Sequence, residues 1–216
     1  MTSHQTLRIT EIFYSLQGES TTVGLPTVFV RLTGCPLRCT YCDTAYAFHG
    51  GKRIKFDEIL KTILSYNCKY VCVTGGEPLA QPGCIPLLTA LCDEGLNVSL
   101  ETSGALPIDS VDRRVMIVMD LKTPDSGECE KNLFSNLTSL KSGDQIKFVI
   151  GSQTDYEWCL DMISKHHLTD YAQILFSPSY DQLSPQVLAD WIIRDRLPVR
   201  FQLQLHKLLW NDAPGH

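Results

Sequence analysis

Thr27-Val28-Phe29-Val30-Arg31-Leu32-Thr33-Gly34-Cys35-Pro36-Leu37-Arg38-Cys39-Thr40-Tyr41-Cys42-Asp43 opens as a strand and closes as a loop carrying three thiols. Thr27–Leu32 is β-branched and aromatic, which favours an extended chain, and Gly34 and Pro36 end it. The cysteines follow as C-x3-C-x2-C, at that strand's C-terminal end. Parallel α/β folds build their sites at that end. Working outward, further strands are expected at Tyr70–Thr74, Val98–Thr102, Val115–Asp120, Gln145–Ile150, Ile174–Ser177 and Val199–Leu203. Runs such as Val71-Cys72-Val73 and Val115-Met116-Ile117-Val118-Met119 are apolar at every position. Such strands suit a sheet covered on both faces, hence a parallel one.

Helical periodicity fills the gaps. Asp57–Tyr66 sets Ile59, Leu60, Ile63 and Leu64 on one face, with Asp57 as its cap. Ile85–Glu94 stops at Gly95. Further helices are expected at Lys131–Leu140, Asp155–His166 and Pro185–Asp195, and Leu7–Ser15 reads as an additional strand ahead of the repeating units. About six βα units with right-handed crossovers fall short of the eight units and about 250 residues of a full barrel. The expected fold is therefore α/β: an incomplete, splayed (β/α)6-type partial barrel with an extra N-terminal strand. No linker or repeat divides it, so residues 1–216 are read as a single domain.

The 216 residues are 44% hydrophobic and 20% charged, with 19 basic and 24 acidic side chains and a net charge of -5. That composition excludes disordered, collagenous and coiled-coil classes. No basic block faces phosphates, so nucleic acid is not an expected partner. Neither a signal peptide nor an apolar run of about 18 residues is seen, so no membrane partner is expected. Nine cysteines without an export signal point to free thiols or metal ligands in a reducing cytoplasm.

Three clustered thiols allow several readings. A structural zinc site would need a fourth ligand, which His49 could give at an unusual spacing. An electron-transfer [4Fe–4S] cluster would need four cysteines. Cys68, Cys72, Cys84, Cys92, Cys129 and Cys159 stand singly and read mostly as small buried hydrophobes. Three ligands on four irons leave one iron open, which a catalytic site requires.

With Tyr41 in C-x3-C-x-aromatic-C, and with Thr74-Gly75-Gly76-Glu77-Pro78 after the next parallel strand, the chain resembles the radical S-adenosylmethionine superfamily. Glycines there would let backbone approach a ligand, so that peptide groups could hold the cofactor's methionyl ammonium. Within that superfamily, Ser15-Leu16-Gln17-Gly18-Glu19-Ser20 resembles a segment of the 7-carboxy-7-deazaguanine synthases of the queuosine pathway, with Ser20 where that family has glycine. Phe29-Val30-Arg31-Leu32, Cys42-Asp43-Thr44, Glu101-Thr102-Ser103-Gly104, Asp120-Leu121-Lys122-Thr123-Pro124 and Gln202-Leu203-Gln204-Leu205-His206-Lys207 extend the likeness nearly end to end. An activating enzyme that makes a glycyl radical on a partner protein shares the cysteine spacing but would lack these further matches. A zinc-stabilised binding module is the non-enzymatic alternative.

The resemblance implies a ring-contracting lyase. Its substrate would be 6-carboxy-5,6,7,8-tetrahydropterin, its product 7-carboxy-7-deazaguanine, and its leaving group ammonia. It implies a [4Fe–4S] cluster on Cys35, Cys39 and Cys42, and S-adenosylmethionine against Tyr41, Cys42, Asp43, Gly76, Glu101, Ser103, Asp120, Leu121 and Lys122. It implies Mg²⁺ on Thr44, although a local hydroxyl-to-backbone turn would equally explain that residue. The pterin would meet Leu16, Gln17, Gly18, Arg31, Thr74, His206 and His216. Arg31, alone on an apolar strand, needs a carboxylate partner, and the substrate would give one. Asp120 could instead cap a helix or form a turn. The implied partners are the small-molecule pterin and an external low-potential, flavodoxin-like electron donor, with a homodimer left open. The C-terminal segment, anchored by Leu208, Leu209 and Trp210, would help cover the substrate.

Overall fold

Alternating apolar residues extend the chain where the sequence predicts, and the ladders between strands set their order. The computed structural model describes residues 5–211, 213 and 215. Its strands are β1 (Thr6–Leu16), β2 (Pro26–Leu32), β3 (Lys52–Lys55), β4 (Tyr70–Gly75), β5 (Asn97–Thr102), β6 (Met116–Asp120), β7 (Gln145–Ile150), β8 (Gln173–Pro178) and β9 (Arg200–Phe201). They form one open sheet in the order β3-β1-β2-β4-β5-β6-β7-β8-β9. From β2 to β9 every pairing is parallel, whereas β1 runs antiparallel to both β2 and β3. This is the incomplete barrel with an added N-terminal strand. The added edge is a pair, because Lys52-Arg53-Ile54-Lys55 pairs with β1. Three of its four residues are charged, so its sequence carries no apolar signal.

The helices are α1 (Phe56–Ser65), α2 (Cys84–Asp93), α3 (Gln153–His166), α4 (Pro185–Asp195) and α5 (Leu205–Trp210). Helix α1 starts one residue before Asp57, and Lys55 rather than Asp57 holds the cap position. It buries Phe56, Ile59 and Ile63, each worth about 1.5–3 kcal/mol of transfer free energy, while Leu64 is exposed. No α-helix forms at Lys131–Leu140, where only short 3-10 turns occur. Two Asn and two Ser in that stretch compete for backbone hydrogen bonds, and Asn136 indeed bonds to the backbone of Gly104, Leu106 and Ile108.

The two faces of the sheet differ. Val28, Val30, Leu32, Val71, Val73, Leu100, Ile117, Met119, Ile146 and Phe148 pack into one core with the helices. The alternate positions carry Arg31, Thr74, Glu101, Asp120 and Lys147. The register places Arg31 beside Thr74, and Asp120 beside Lys147. The sheet is covered on both faces, but its inner face sets polar and charged side chains among apolar ones such as Phe29 and Val118, because it lines a cavity.

Candidate functional site

The cysteine loop leaves β2 and is stitched to its neighbours by backbone. Gly34 N–H donates to Ala47 O at 2.8 Å, and Glu77 N–H donates to Gly34 O at 2.8 Å. A Cβ on Gly76 would lie 2.4 Å from Gly34 O and 2.7 Å from the Cys35 Cβ. Gly75, at φ +153°, leaves its strand where a Cβ would meet Leu32 O at 2.2 Å. The glycine pair thus admits the cysteine loop itself; both glycines also line the cavity. Beneath them Glu77 is fully buried. Its carboxylate accepts from the Thr102 hydroxyl, the Ser103 N–H and hydroxyl, and the Leu79 N–H, at 2.6–3.0 Å. Ser103, expected at the cofactor, therefore spends its hydroxyl proton on Glu77.

Cys35, Cys39 and Cys42 are half-buried free thiols lining one cavity of about 420 Å³. The other six cysteines do not border it. Burial pushes all three thiols above their usual value, against the pull of nearby Lys122. Thiolates here therefore call for a metal in place of the proton. Among the described residues no three His, Cys, Asp or Glu side chains form a single-ion site. Three thiols from one loop suit a multi-iron core, with each thiolate on its own iron. His49, the zinc alternative's fourth ligand, is exposed and away from this cavity.

Leu16, at the end of β1, and Gln17 and Gly18, just after it, sit at the cavity wall, with Arg31 on β2 and Thr74 on β4. Glu101 joins two of them, accepting from the Thr74 hydroxyl at 2.9 Å and from Gln17 Nε2 at 3.4 Å. The carboxylate expected for Arg31 is present within the chain. Arg31 Nε donates to Glu11 Oε1 at 2.7 Å, and the Tyr46 hydroxyl donates to the same oxygen at 2.8 Å. The Arg31 guanidinium also lies 5.8 Å from the ring centres of Phe13 and Tyr46. Its two terminal nitrogens have no hydrogen bond among the described residues. Ser20 adopts φ +68°, a conformation that favours glycine. Its N–H donates to Gln202 Oε1 and its hydroxyl bonds with that of Thr22.

A ladder of alternating charges crosses the inner face. Lys122 Nζ lies 2.9 Å from Asp120 Oδ2, and Lys147 Nζ lies 3.5 Å from Asp120 Oδ1. Lys147 also pairs with Glu19, which accepts from Gln204 Nε2 at 2.8 Å. Burial alone would neutralise these groups, but the pairing outweighs it. Asp120 is held below its usual value by Lys122 and Lys147, and both lysines are held above theirs by Asp120. Glu19 and Lys147 were not among the expected site residues. Lys147 carries the signal that singled out Arg31, a lone cation between apolar residues of a strand. Leu121, expected at the cofactor, packs its side chain into the core and donates its N–H to Lys147 O.

Thr44 Oγ1 donates to Asp43 Oδ1 at 2.8 Å, so its hydroxyl bonds to a side chain and not to backbone; the turn itself is closed by Ala47 N–H on Thr44 O at 2.9 Å. Asp43 Oδ2 lies 3.1 Å from Lys207 Nζ and 3.3 Å from Gln204 Nε2. Burial works against the Asp43 charge, yet Lys207 and Thr44 hold its carboxyl well below the usual range. His206 is in the first turn of α5 and borders the cavity. The strand expected over Val199–Leu203 is confined to Arg200–Phe201. Leu208 and Leu209 are exposed, so they do not anchor the C-terminus. Trp210 is partly buried; Lys207, which is buried, and the bond from Leu205 N–H to Gly18 O at 3.0 Å also hold this end. Ala213 and Gly215 border the cavity, and His216 lies outside the described residues. Ser179, Tyr180 and Gln182, after β8, are further lining residues that the sequence reading did not name.

The family model of the radical SAM superfamily matches residues 29–126. The chain is 48% identical to the 7-carboxy-7-deazaguanine synthase of Chlorobaculum tepidum, covering 100% of both chains. It is 42% identical to that of Methanospirillum hungatei over 94% of this chain and 85% of the relative. A crystal structure of QueE from Escherichia coli superposes with a TM-score of 0.80 at 23% identity, covering 95% and 96% of the two chains, which shows a shared fold.

Proposed function

The chain belongs to the 7-carboxy-7-deazaguanine synthase family, radical SAM enzymes of the queuosine pathway that carry a [4Fe–4S] cluster and use S-adenosylmethionine, and from that premise we propose how its residues divide the work. The substrate is 6-carboxy-5,6,7,8-tetrahydropterin, which loses ammonia as its ring contracts to 7-carboxy-7-deazaguanine. Cys35, Cys39 and Cys42 hold the cluster. The observation that carries this reading is the single cavity shared by those thiols, Arg31, Thr44 and the charge ladder.

Cluster and S-adenosylmethionine, when bound, supply the radical chemistry that begins at C6 of the pterin. The protein's residues position and enclose. Arg31, braced through Nε by Glu11, turns its free terminal nitrogens to the substrate carboxylate. Gln17 and Thr74, held by Glu101, face the pterin together with Leu16, Gly18 and His206. Thr44 offers one oxygen to Mg²⁺, and substrate and water complete the shell. Tyr41, Asp43, Gly76, Glu101, Ser103, Asp120 and Lys122 border S-adenosylmethionine. The ladder pairs its charges before ligands arrive, but Asp120 Oδ1, 3.5 Å from Lys147, is buried with no hydrogen bond among the described residues and is left to accept one from a ligand.

The remaining assignments follow from family and composition. Residues 1–216 form one domain, in keeping with one sheet running from Thr6 to Phe201. A flavodoxin-like protein delivers the electron, the enzyme acts in the cytoplasm, and a homodimer is compatible with this arrangement. Among the described residues no helix is long and apolar enough to cross a membrane. Anaerobic incubation of reconstituted protein with dithionite, S-adenosylmethionine, Mg²⁺ and the carboxytetrahydropterin tests the reading. Mass analysis should show the pterin replaced by a product lighter by one ammonia. An unchanged pterin beside cleaved S-adenosylmethionine would overturn the substrate assignment.

A further inference from the structure

We propose that Lys207, on the C-terminal helix, is a positioning residue for Thr44: it holds the Asp43 carboxylate so that the Thr44 hydroxyl presents lone pairs, and not its proton, to Mg²⁺. The inference rests on the reading of Thr44 as a Mg²⁺ ligand. A hydroxyl has one proton and two lone pairs. Thr44 gives its proton to Asp43 Oδ1 at 2.8 Å, which leaves only acceptor capacity for the cavity. That geometry holds only while Asp43 stays in place. Its second oxygen is fixed by Lys207 Nζ at 3.1 Å and by Gln204 Nε2 at 3.3 Å. Lys207 is itself buried, with its ammonium 5.0 Å from the ring centre of Tyr180.

The same short segment bears on the substrate loop. Leu205 N–H bonds to Gly18 O, and a Cβ on Gly18 would lie 2.5 Å from His206 Nδ1. One helix therefore sets both the Leu16-Gln17-Gly18 wall and the Thr44 oxygen. Among the described residues no group of three His, Cys, Asp or Glu can hold a metal ion. The cation must take most of its ligands from substrate and water, so its affinity is sensitive to how the single protein oxygen is aimed.

The test measures Mn²⁺, standing in for Mg²⁺, by its free-ion paramagnetic resonance signal. The samples are reconstituted holoenzyme with S-adenosylmethionine and the carboxytetrahydropterin. Lys207→Met keeps the stem over Tyr180 and removes the charge. It should weaken Mn²⁺ binding about tenfold, the lower end for loss of a group that orients a metal ligand, with iron content unchanged. Lys207→Arg should restore most of the affinity. Lys207→Gln should fall between, and it replaces the methionine variant if that one loads iron poorly. The double variant Thr44→Val with Lys207→Met should bind no more weakly than Thr44→Val alone, because the two residues act through one oxygen. Parental affinity in the Lys207 variants, or additive losses in the double variant, would overturn the relay. Parental affinity in Thr44→Val would overturn the metal reading of Thr44, and the relay with it.

Discussion

Glu77 takes four donor groups into one buried carboxylate, and in Glu77→Gln one of its two oxygens becomes an NH2 group, so the donors on that side lose their acceptor. Leaving a buried donor unpaired costs about 1–3 kcal/mol, so the variant should lose on the order of 3 kcal/mol. For a chain of this size that lowers the melting temperature by roughly 6–12 °C; an unchanged anaerobic melt would show that Glu77 does not clamp the Gly75-Gly76 turn. Arg31 makes a different prediction. Arg31→Ala should raise the substrate constant by about 2–5 kcal/mol while slow cleavage of S-adenosylmethionine without substrate persists. Glu11→Gln, which loosens the bonds from Arg31 Nε and the Tyr46 hydroxyl but keeps the guanidinium, should give a smaller rise. Equal effects of both would mean that Arg31 is aligned for the fold alone. At this scale the cysteines and Arg31 were legible because their chemistry is unusual for their setting. Glu77 was not, because a glutamate beside a turn looks solvated until its strand neighbours are known. Glu11 and Glu19 were hidden in the same way, since their partners Arg31 and Lys147 are distant in sequence.

Helix α5 and the chain beyond it were the least legible elements. Leu205–Trp210 is only six residues long, too short for a periodic signal, and it is held by Asp43, Gly18 and Glu19 from far away in the chain. Its two exposed leucines misled the reading of the anchor, because apolar residues near a terminus suggest packing. Charge and backbone bonds do much of that work. Edge strand β3 was missed because its charges are what an edge carries. The central strands and helices α1 to α4 were legible from period alone, apart from their end residues. Ala213 and Gly215 border the cavity, and this bears on the tail. Deleting residues 211–216 should weaken pterin binding and raise cleavage of S-adenosylmethionine uncoupled from product, as water enters the site. Unchanged values of both would remove the tail from the mechanism.

At the scale of the molecule, an apolar outer face folds the sheet and a charged inner face serves the cavity. Continuous apolar runs in the sequence showed the first and concealed the second, because at most one charged residue in each central strand hardly changes the pattern. The ladder should be visible in stability. Lys147→Met leaves Asp120 and Glu19 short of a partner, a loss of about 3–5 kcal/mol for a broken buried pair. The folded Asp120 carboxyl is depressed, so its share is present above the unfolded value of about 3.9 and lost as pH falls below it. The folded lysines are raised, so their share is present below about 10.4 and lost only above. The difference between parent and variant in urea unfolding should therefore be flat from about pH 5 to 9 and shrink below about pH 4; a difference that changes steadily across neutral pH would contradict the ladder. That this cavity contracts a pterin ring, with S-adenosylmethionine regenerated in each turnover as the family resemblance implies, is tested by one anaerobic time course. Ammonia, 7-carboxy-7-deazaguanine and residual S-adenosylmethionine are quantified in the same tube. The account predicts equal amounts of ammonia and deazaguanine, and many of each per S-adenosylmethionine consumed; consumption of S-adenosylmethionine with neither product formed would contradict it.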